Sequence, residues 1–347
     1  MRLLSLLFLG FIFFSSCTSE PKISSHNFSQ VSIDVIYEDS VSIRAIEFMN
    51  DGSLAFAGSN GIYGLVNTVN DMVKTNVQRQ DSLVPEFRAI GHTATDFFML
   101  SVATPALLYK TGISGKMELV YQEDGEGVFY DALAFWNDTE GLAIGDAIDG
   151  CLSILITRDG GKQWKKIECD DLPEAKVGEG AFAASNTNIE IQGNNAWIAT
   201  TSGTLLFSSD KGKNWRYIQT PMRNEAATEG IYSIDFYDAD MGFAIGGDFT
   251  KPDNTQANKA ITIDGGVTWN LVADNVAPGY KSCVQYVPNA GGKDLVVIGF
   301  TRVSYSNDAG LSWKELSKEP FYTIRFMNDS VAYAAGKNRI AKLTFKK

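Results

Sequence analysis

Histidine is almost missing from this chain: among 347 residues only His26 and His92 occur. Zinc sites and acid–base arrangements that rely on imidazole are therefore starved of residues. The four cysteines include no Cys-x-x-Cys pair, and no Gly-x-Gly-x-x-Gly run sits between a strand and a helix. Those two gaps remove thiol redox motifs and dinucleotide binding. Positive charge is also short. Lys and Arg number 30 against 41 Asp and Glu, a net charge of −11 and an isoelectric point near 4.8. An acidic surface argues against a phosphate-backbone partner, so no nucleic acid is expected. Long apolar runs are limited to Leu3–Phe14, far below the roughly 20 residues that span a bilayer. No cofactor and no metal are expected.

That short apolar run follows Arg2, and the pattern is that of a targeting segment. It ends in Phe14, Ser15, Ser16 and Cys17, which resembles a bacterial lipobox. The resemblance implies cleavage before Cys17 and a lipid on that residue. Residues 1–16 are then a signal peptide, 17–27 a lipidated tether without periodicity, and 28–347 a single domain. The expected location is a bacterial cell envelope, on the periplasmic or surface side, with the membrane reached through the lipid. Of the other cysteines, Cys151 and Cys169 flank one turn at similar distances from Gly160. In an oxidising compartment they form a disulfide or remain two buried thiols; Cys283 has no evident partner.

What the chain has in abundance is glycine, 32 residues, with 44% hydrophobic and 12% aromatic content. That composition suits one large all-β domain with many turns. One eight-residue phrase, Ser/Thr-x-Asp-x-Gly-x-x-Trp, occurs four times. It runs from Thr157 through Asp159 to Trp164, from Ser208 through Asp210 to Trp215, from Thr262 through Asp264 to Trp269, and from Ser306 through Asp308 to Trp313. The Asp residues are 51, 54 and 44 positions apart. A period of about 40–50 residues is the propeller range. Apolar strands precede and follow each phrase, so it reads as a hairpin turn. The Asp accepts turn N–H groups, the Gly takes a positive φ, and the Trp covers the bend. The phrase resembles the Asp-box of sialidases, a structural element remote from the active site, so these Asp and Trp residues are read as structural.

Seven segments fit one four-strand template, with inner strands recurring near Ala45, Ala89, Ala132, Ser185, Ile234, Val284 and Thr323 at steps of 39–53 residues. The expected fold is an all-β propeller of seven four-stranded blades, with six or eight as alternatives. Phe182–Ser185 is expected to open the fourth inner strand. The last blade lacks a visible outer strand, and Val31–Ile36 is placed to supply it, closing the ring by pairing the two chain ends.

Propeller topology puts the repeated turns on one face. The less stereotyped loops gather around the other mouth of the channel. There the candidate ligand-binding residues are Arg44, Arg88, Tyr130, Asp131, Glu179, Phe182, Tyr232, Tyr280, Lys281 and Arg325. Aromatic rings with bidentate Arg suit a sugar, a carboxylate or an acidic peptide segment. Arg302 and Arg339 extend the possible anionic cradle. Glu126, Asp131, Glu179 and Glu229 are the candidate catalytic carboxylates of a glycoside hydrolase or lyase, or else partners in hydrogen bonds between blades.

Over nearly all of residues 28–347 the chain resembles the Asp-box (BNR-type) propeller lipoproteins of Bacteroidetes-like bacteria, related to the photosystem II stability/assembly-factor propellers. The matching stretches are 125–136, 141–150, 178–185 and 242–248 with Lys251, Pro252 and Asp253. The resemblance implies a chaperone-like binding role at the Arg-bearing face. A protein or glycan ligand at the channel mouth and a monomeric propeller are expected. The more distant sialidase likeness fails at the Arg-Ile-Pro segment, which this chain lacks. Two functions follow, a non-catalytic binding module or a glycoside hydrolase. An oxidoreductase has no residue support.

Overall fold

The computed structural model describes residues 26–112 and 115–347. The expectations for residues 1–25, including Cys17, lie outside the described residues. Strands form six sheets, five of four strands and one of six. The expected count of seven four-stranded blades is thereby corrected to six sheets. The cause is the strand Gln30–Phe48, which runs for 19 residues. Its first part pairs with Val331–Lys346, Val31 opposite Phe345 and Ile33 opposite Leu343. Its last part pairs with Leu54–Gly58, Ile46 opposite Phe56. One strand thus joins what the sequence pattern divides, and the two ends of the chain share a single sheet.

The first strands of successive sheets neighbour one another in a closed cycle: Gln30–Phe48, Phe87–His92, Tyr130–Phe135, Ile189–Gln192, Glu229–Phe236, Cys283–Tyr286, Thr323–Phe326 and back. The six-stranded sheet supplies both Gln30–Phe48 and Thr323–Phe326 to this ring. Apolar layers fill the gaps between sheets. Phe98, Leu108, Leu133, Leu155 and Trp164 form one such layer. Each large side chain buried this way contributes about 1.5–3 kcal/mol.

The repeated phrase forms the turn between third and fourth strands in four sheets. In the first copy Thr157 Oγ1 accepts from Gly161 N at 2.9 Å and donates to Asp159 Oδ1 at 3.0 Å. Asp159 Oδ1 also accepts from Lys162 N and Gln163 N, both at 3.0 Å. Gly161 has a φ of +75° and lies so close to Phe98 of the preceding sheet that a Cβ would meet the ring at 2.2 Å. Glycine is required there for both reasons. Trp164 then packs edge-on against Phe98 and Phe135. The turn therefore seals one sheet onto the one before it.

Residues 182–188 depart from the template. Phe182–Ser185 is not a strand, and the inner strand of its sheet is Ile189–Gln192. Ser185, Asn186, Thr187 and Asn188 are buried polar residues, and such groups need partners. The first three find them around the ring, whereas Asn188 Oδ1 is left without one. Ser185 Oγ donates to Ser282 O, and Ser185 O accepts from Thr323 Oγ1. Asn186 Nδ2 donates to Ile90 O, while its Oδ1 accepts from Leu133 N. Thr187 Oγ1 meets Ser233 Oγ. The segment is a plug across the channel, and it divides the axis into two separate mouths.

Cys151 and Cys169 are disulfide-bonded, and Cys283 is a buried free thiol. His26, placed in the expected tether, is buried with Nδ1 3.0 Å from Asp294 Oδ2 and its carbonyl accepting from Tyr305 Oη. The described chain thus starts on the face of the repeated turns.

Candidate functional site

The mouth opposite the repeated turns is a cavity of about 310 Å3. Arg88 enters it from the start of Phe87–His92, and Arg44 from Gln30–Phe48 where that strand begins to pair with Leu54–Gly58. Phe182 comes from the plug, Tyr232 from within the inner strand Glu229–Phe236, and Tyr280 and Tyr322 from the approaches to two further inner strands. Phe249 and Phe300, 45% and 39% exposed, stand at the rim.

The aromatic rings form one continuous wall. Phe182 and Tyr232 stack with centroids 3.6 Å apart and planes within 4°. Tyr280 meets Tyr232 edge-on at 4.8 Å and lies 5.3 Å from Phe300. Arg44 lies over the Tyr322 ring with Cζ 4.2 Å from its centroid, a cation–π contact.

The two arginines differ. Arg88 pairs with Glu86 at 2.6 Å. Arg44 makes no ion pair among the described residues. Its Nε is buried without a partner, and its one hydrogen bond runs from an Nη to Ala184 O at 3.5 Å. Burial, then the charge of Arg88, pulls the Arg44 pKa below its usual value. An unneutralised buried cation beside a second one is costly unless an anion joins them.

Of the ten candidate ligand residues, five line this cavity: Arg44, Arg88, Phe182, Tyr232 and Tyr280. The other five do not. Tyr130 is buried, donating to Glu123 Oε2 at 2.6 Å. Glu179 is buried and accepts from Thr204 Oγ1, Tyr217 Oη and Lys176 N. Lys281 is buried and donates to Tyr280 O and Thr301 Oγ1, and burial pushes its amine down to about 7. Arg325 belongs to the opposite mouth. Asp131 is fully buried, and neither carboxyl oxygen has a hydrogen-bond partner. Burial and the nearby charge of Asp146 push its pKa well above the carboxylate range.

The other catalytic candidates are also outside the cavity. Glu126 is exposed on its loop. Glu229 is buried against Arg223, 3.0 Å away. No carboxylate lines the cavity. Arg302 pairs with Asp253 and Glu315, and Arg339 with Glu319. The sequence reading left out Tyr322, Phe249 and Phe300. Tyr322 had a local signal, since it precedes an inner strand in the same position as the other aromatics.

The second mouth, on the face of the repeated turns, is a cavity of about 390 Å3. Every inner strand contributes to its lining. Glu47, Glu190, Asp235 and Gln285 carry oxygen, Arg325 carries the single arginine, and Gly91 and Ala134 leave space. Arg325 is held by Glu47 at 3.3 Å and by Ile324 O, Thr323 Oγ1 and Asn186 O. Burial opposes its charge, but Glu47 more than compensates and its pKa is raised.

Comparison with known proteins agrees with this architecture. The family described as photosynthesis system II assembly factor YCF48 matches residues 117–265, less than half of the chain. No curated protein sequence matches the chain. Among solved structures, YCF48 bound to D1 peptide superposes with a TM-score of 0.64 at 13% identity, covering 94% of this chain and 100% of that one. YCF48 from Cyanidioschyzon merolae gives 0.66 at 11% identity, covering 91% and 99%. A catalytically inactive virginiamycin B lyase from Staphylococcus aureus with quinupristin gives 0.67 at 9% identity, covering 91% and 99%. At these identities the likeness is one of fold, a β-propeller.

Proposed function

We propose that this propeller binds a protein ligand at the aromatic mouth, recognising an acidic or carboxylate-bearing peptide segment without catalysing a reaction on it. The observation that carries the reading is Arg44. It is partly buried, stacked on Tyr322, next to Arg88 and paired with no carboxylate of its own chain. A ligand carboxylate bridging the two arginines would supply the missing charge, and Phe182, Tyr232 and Tyr280 would hold the apolar body beside it. The structural likeness to a YCF48 that binds a D1 peptide supports a peptide as ligand. The candidate carboxylates Glu126, Asp131, Glu179 and Glu229 lie outside the cavity, which weighs against hydrolase chemistry there.

Anchoring through a lipid on Cys17 rests on the sequence. His26 enters on the face of the repeated turns, so an anchor a few residues upstream would turn the aromatic mouth away from the membrane. The test is capture of partners from a native envelope by the wild-type protein and by an Arg44→Gln/Arg88→Gln double variant, followed by surface plasmon resonance with acidic peptides from the captured protein. Loss of at least about tenfold in affinity, ~1.4 kcal/mol, is expected for the double variant. Equal affinity would remove the aromatic mouth as the site.

A further inference from the structure

The repeated turns show what closes the gap between neighbouring sheets. On the sheet before each turn, one residue of the second strand and its partner on the third lie toward the turn's tryptophan. Phe98, opposite Lys110, meets Trp164 with ring centroids 6.3 Å apart, and Phe243, opposite Ile261, meets Trp313 at 5.9 Å. Trp197, opposite Phe207, shares an apolar layer with Trp269, and Leu142, opposite Ile156, shares one with Trp215. The filler of each of these gaps is an indole.

One gap lacks it. Between the six-stranded sheet and the sheet that begins at Phe87–His92, the matching pair is Ala55 opposite Leu65. Register establishes the match, because Ala55 pairs with Glu47 as Trp197 pairs with Glu190 and Phe243 with Asp235. The turn from Gly112 to Lys116 holds no tryptophan, and the six tryptophans of the chain all belong to other layers. A cleft of about 510 Å3 opens there. Met49, Tyr63, Phe97 and Met117 give it apolar walls that continue into the layer beneath. Leu65 lines it and is 44% exposed, whereas Ile156, Phe207 and Ile261, in the matching positions, are half-buried.

We propose that this cleft binds an indole side chain presented by a tryptophan-bearing segment of a protein partner. The indole covers Leu65 and packs against Tyr63, Phe97 and Met117, as the chain's own tryptophans fill the other gaps. A buried aromatic anchor of this kind carries much of the energy of a protein interface. The source is a peptide rather than a free small molecule, because the cleft borders the open edge of a sheet. Met72–Val77 is the last strand of its sheet, five of its six side chains are exposed, and Lys74, Thr75 and Asn76 of that strand line the cleft. Backbone on either side of the indole meets unpaired strand groups and polar side chains there. The cleft shares no lining residue with the aromatic mouth.

The experiment is ligand-observed NMR titration of the folded protein with N-acetyl-tryptophanamide, N-acetyl-alaninamide, free indole and an alanine peptide carrying one central tryptophan. The tryptophan amide is expected to bind at least about tenfold tighter than the alanine amide, and the peptide at least about threefold tighter than indole. Leu65→Asp should weaken the peptide by about tenfold. Lys116→Trp sets an indole just before the fourth strand, where Trp164 stands in the next sheet, and should weaken it by about tenfold or more. Arg44→Gln, at the aromatic mouth, should change nothing. Equal binding of the alanine amide, unchanged affinity in both cleft variants, or a loss in Arg44→Gln without one in Leu65→Asp would each overturn the assignment. Indole bound tighter than the peptide would overturn the peptide as source, and self-association abolished by Lys116→Trp would put a second copy of the chain in its place. Should Lys116→Trp fail to fold, Leu65→Asp, a change at an exposed position, still decides.

Discussion

The two mouths of one channel treat arginine in opposite ways. At the aromatic mouth Arg44 is left without a carboxylate and rests on Tyr322. At the turn-side mouth Arg325 is fully employed, joined to Glu47 and to plug and strand oxygens. The acids show the converse. Glu86 is ion-paired at the first mouth, while Glu190 and Asp235 make no ion pair among the described residues and feel only the charge of Arg325 across the second. A satisfied charge holds the fold, whereas an unsatisfied one is available to a ligand. The plug makes the contrast possible, because residues 184–187 keep the two sets apart and each set reaches one of its carbonyls: Arg44 at Ala184 and Arg325 at Asn186.

The largest expected effect removes the structural arginine. Arg325→Gln leaves the buried plug carbonyl and the partly exposed Glu47 without their cation, and should cost about 3 kcal/mol in urea unfolding. Asn186→Ala comes next. It strips the partners of Leu133 N and Ile90 O at once, about 2 kcal/mol, and should disturb ligand binding at the aromatic mouth. Arg44→Gln sharpens the contrast from the other side. It gives up a cation–π contact but also a buried charge beside Arg88. Stability should move by less than about 1 kcal/mol while peptide binding is lost. A large loss of stability in Arg44→Gln would mean that both arginines are structural.

The sequence carried some of this clearly. The repeated turns were legible because their physics is local: Asp159, Gly161 and Trp164 act within eight residues of one another. Half of the aromatic mouth was legible for a related reason, since Arg44, Arg88, Tyr232 and Tyr280 lie in or just before inner strands and topology alone gathers them. The plug was not. Its hydrogen bonds join Asn186 to Ile90 and Ser185 to Ser282, residues 96 and 97 positions apart, and no periodicity records such contacts. The number of sheets was misjudged because two template segments meet in the single strand Gln30–Phe48. Glu190 and Asp235 were passed over because each is one polar residue in an inner strand. Only ring closure makes them neighbours.

Acidity offers the smallest and most diagnostic difference. Asp210, in a repeated turn, accepts from Lys213 N, Asn214 N and Asn214 Nδ2. Partial burial works against its charge, but these hydrogen bonds prevail and lower its pKa to about 2. Its contribution is therefore present above about pH 4 and lost as pH falls through 2. Asp235 behaves oppositely. Burial raises it to about 7, so its contribution is complete below about pH 4 and is lost as pH rises through 7. Wild-type stability should therefore decline between about pH 4 and 7, by an amount on the order of 1 kcal/mol or more, to which Glu190 adds in the same direction. Asp235→Asn should flatten that decline, and Asp210→Asn should leave it intact while altering only the acid limb.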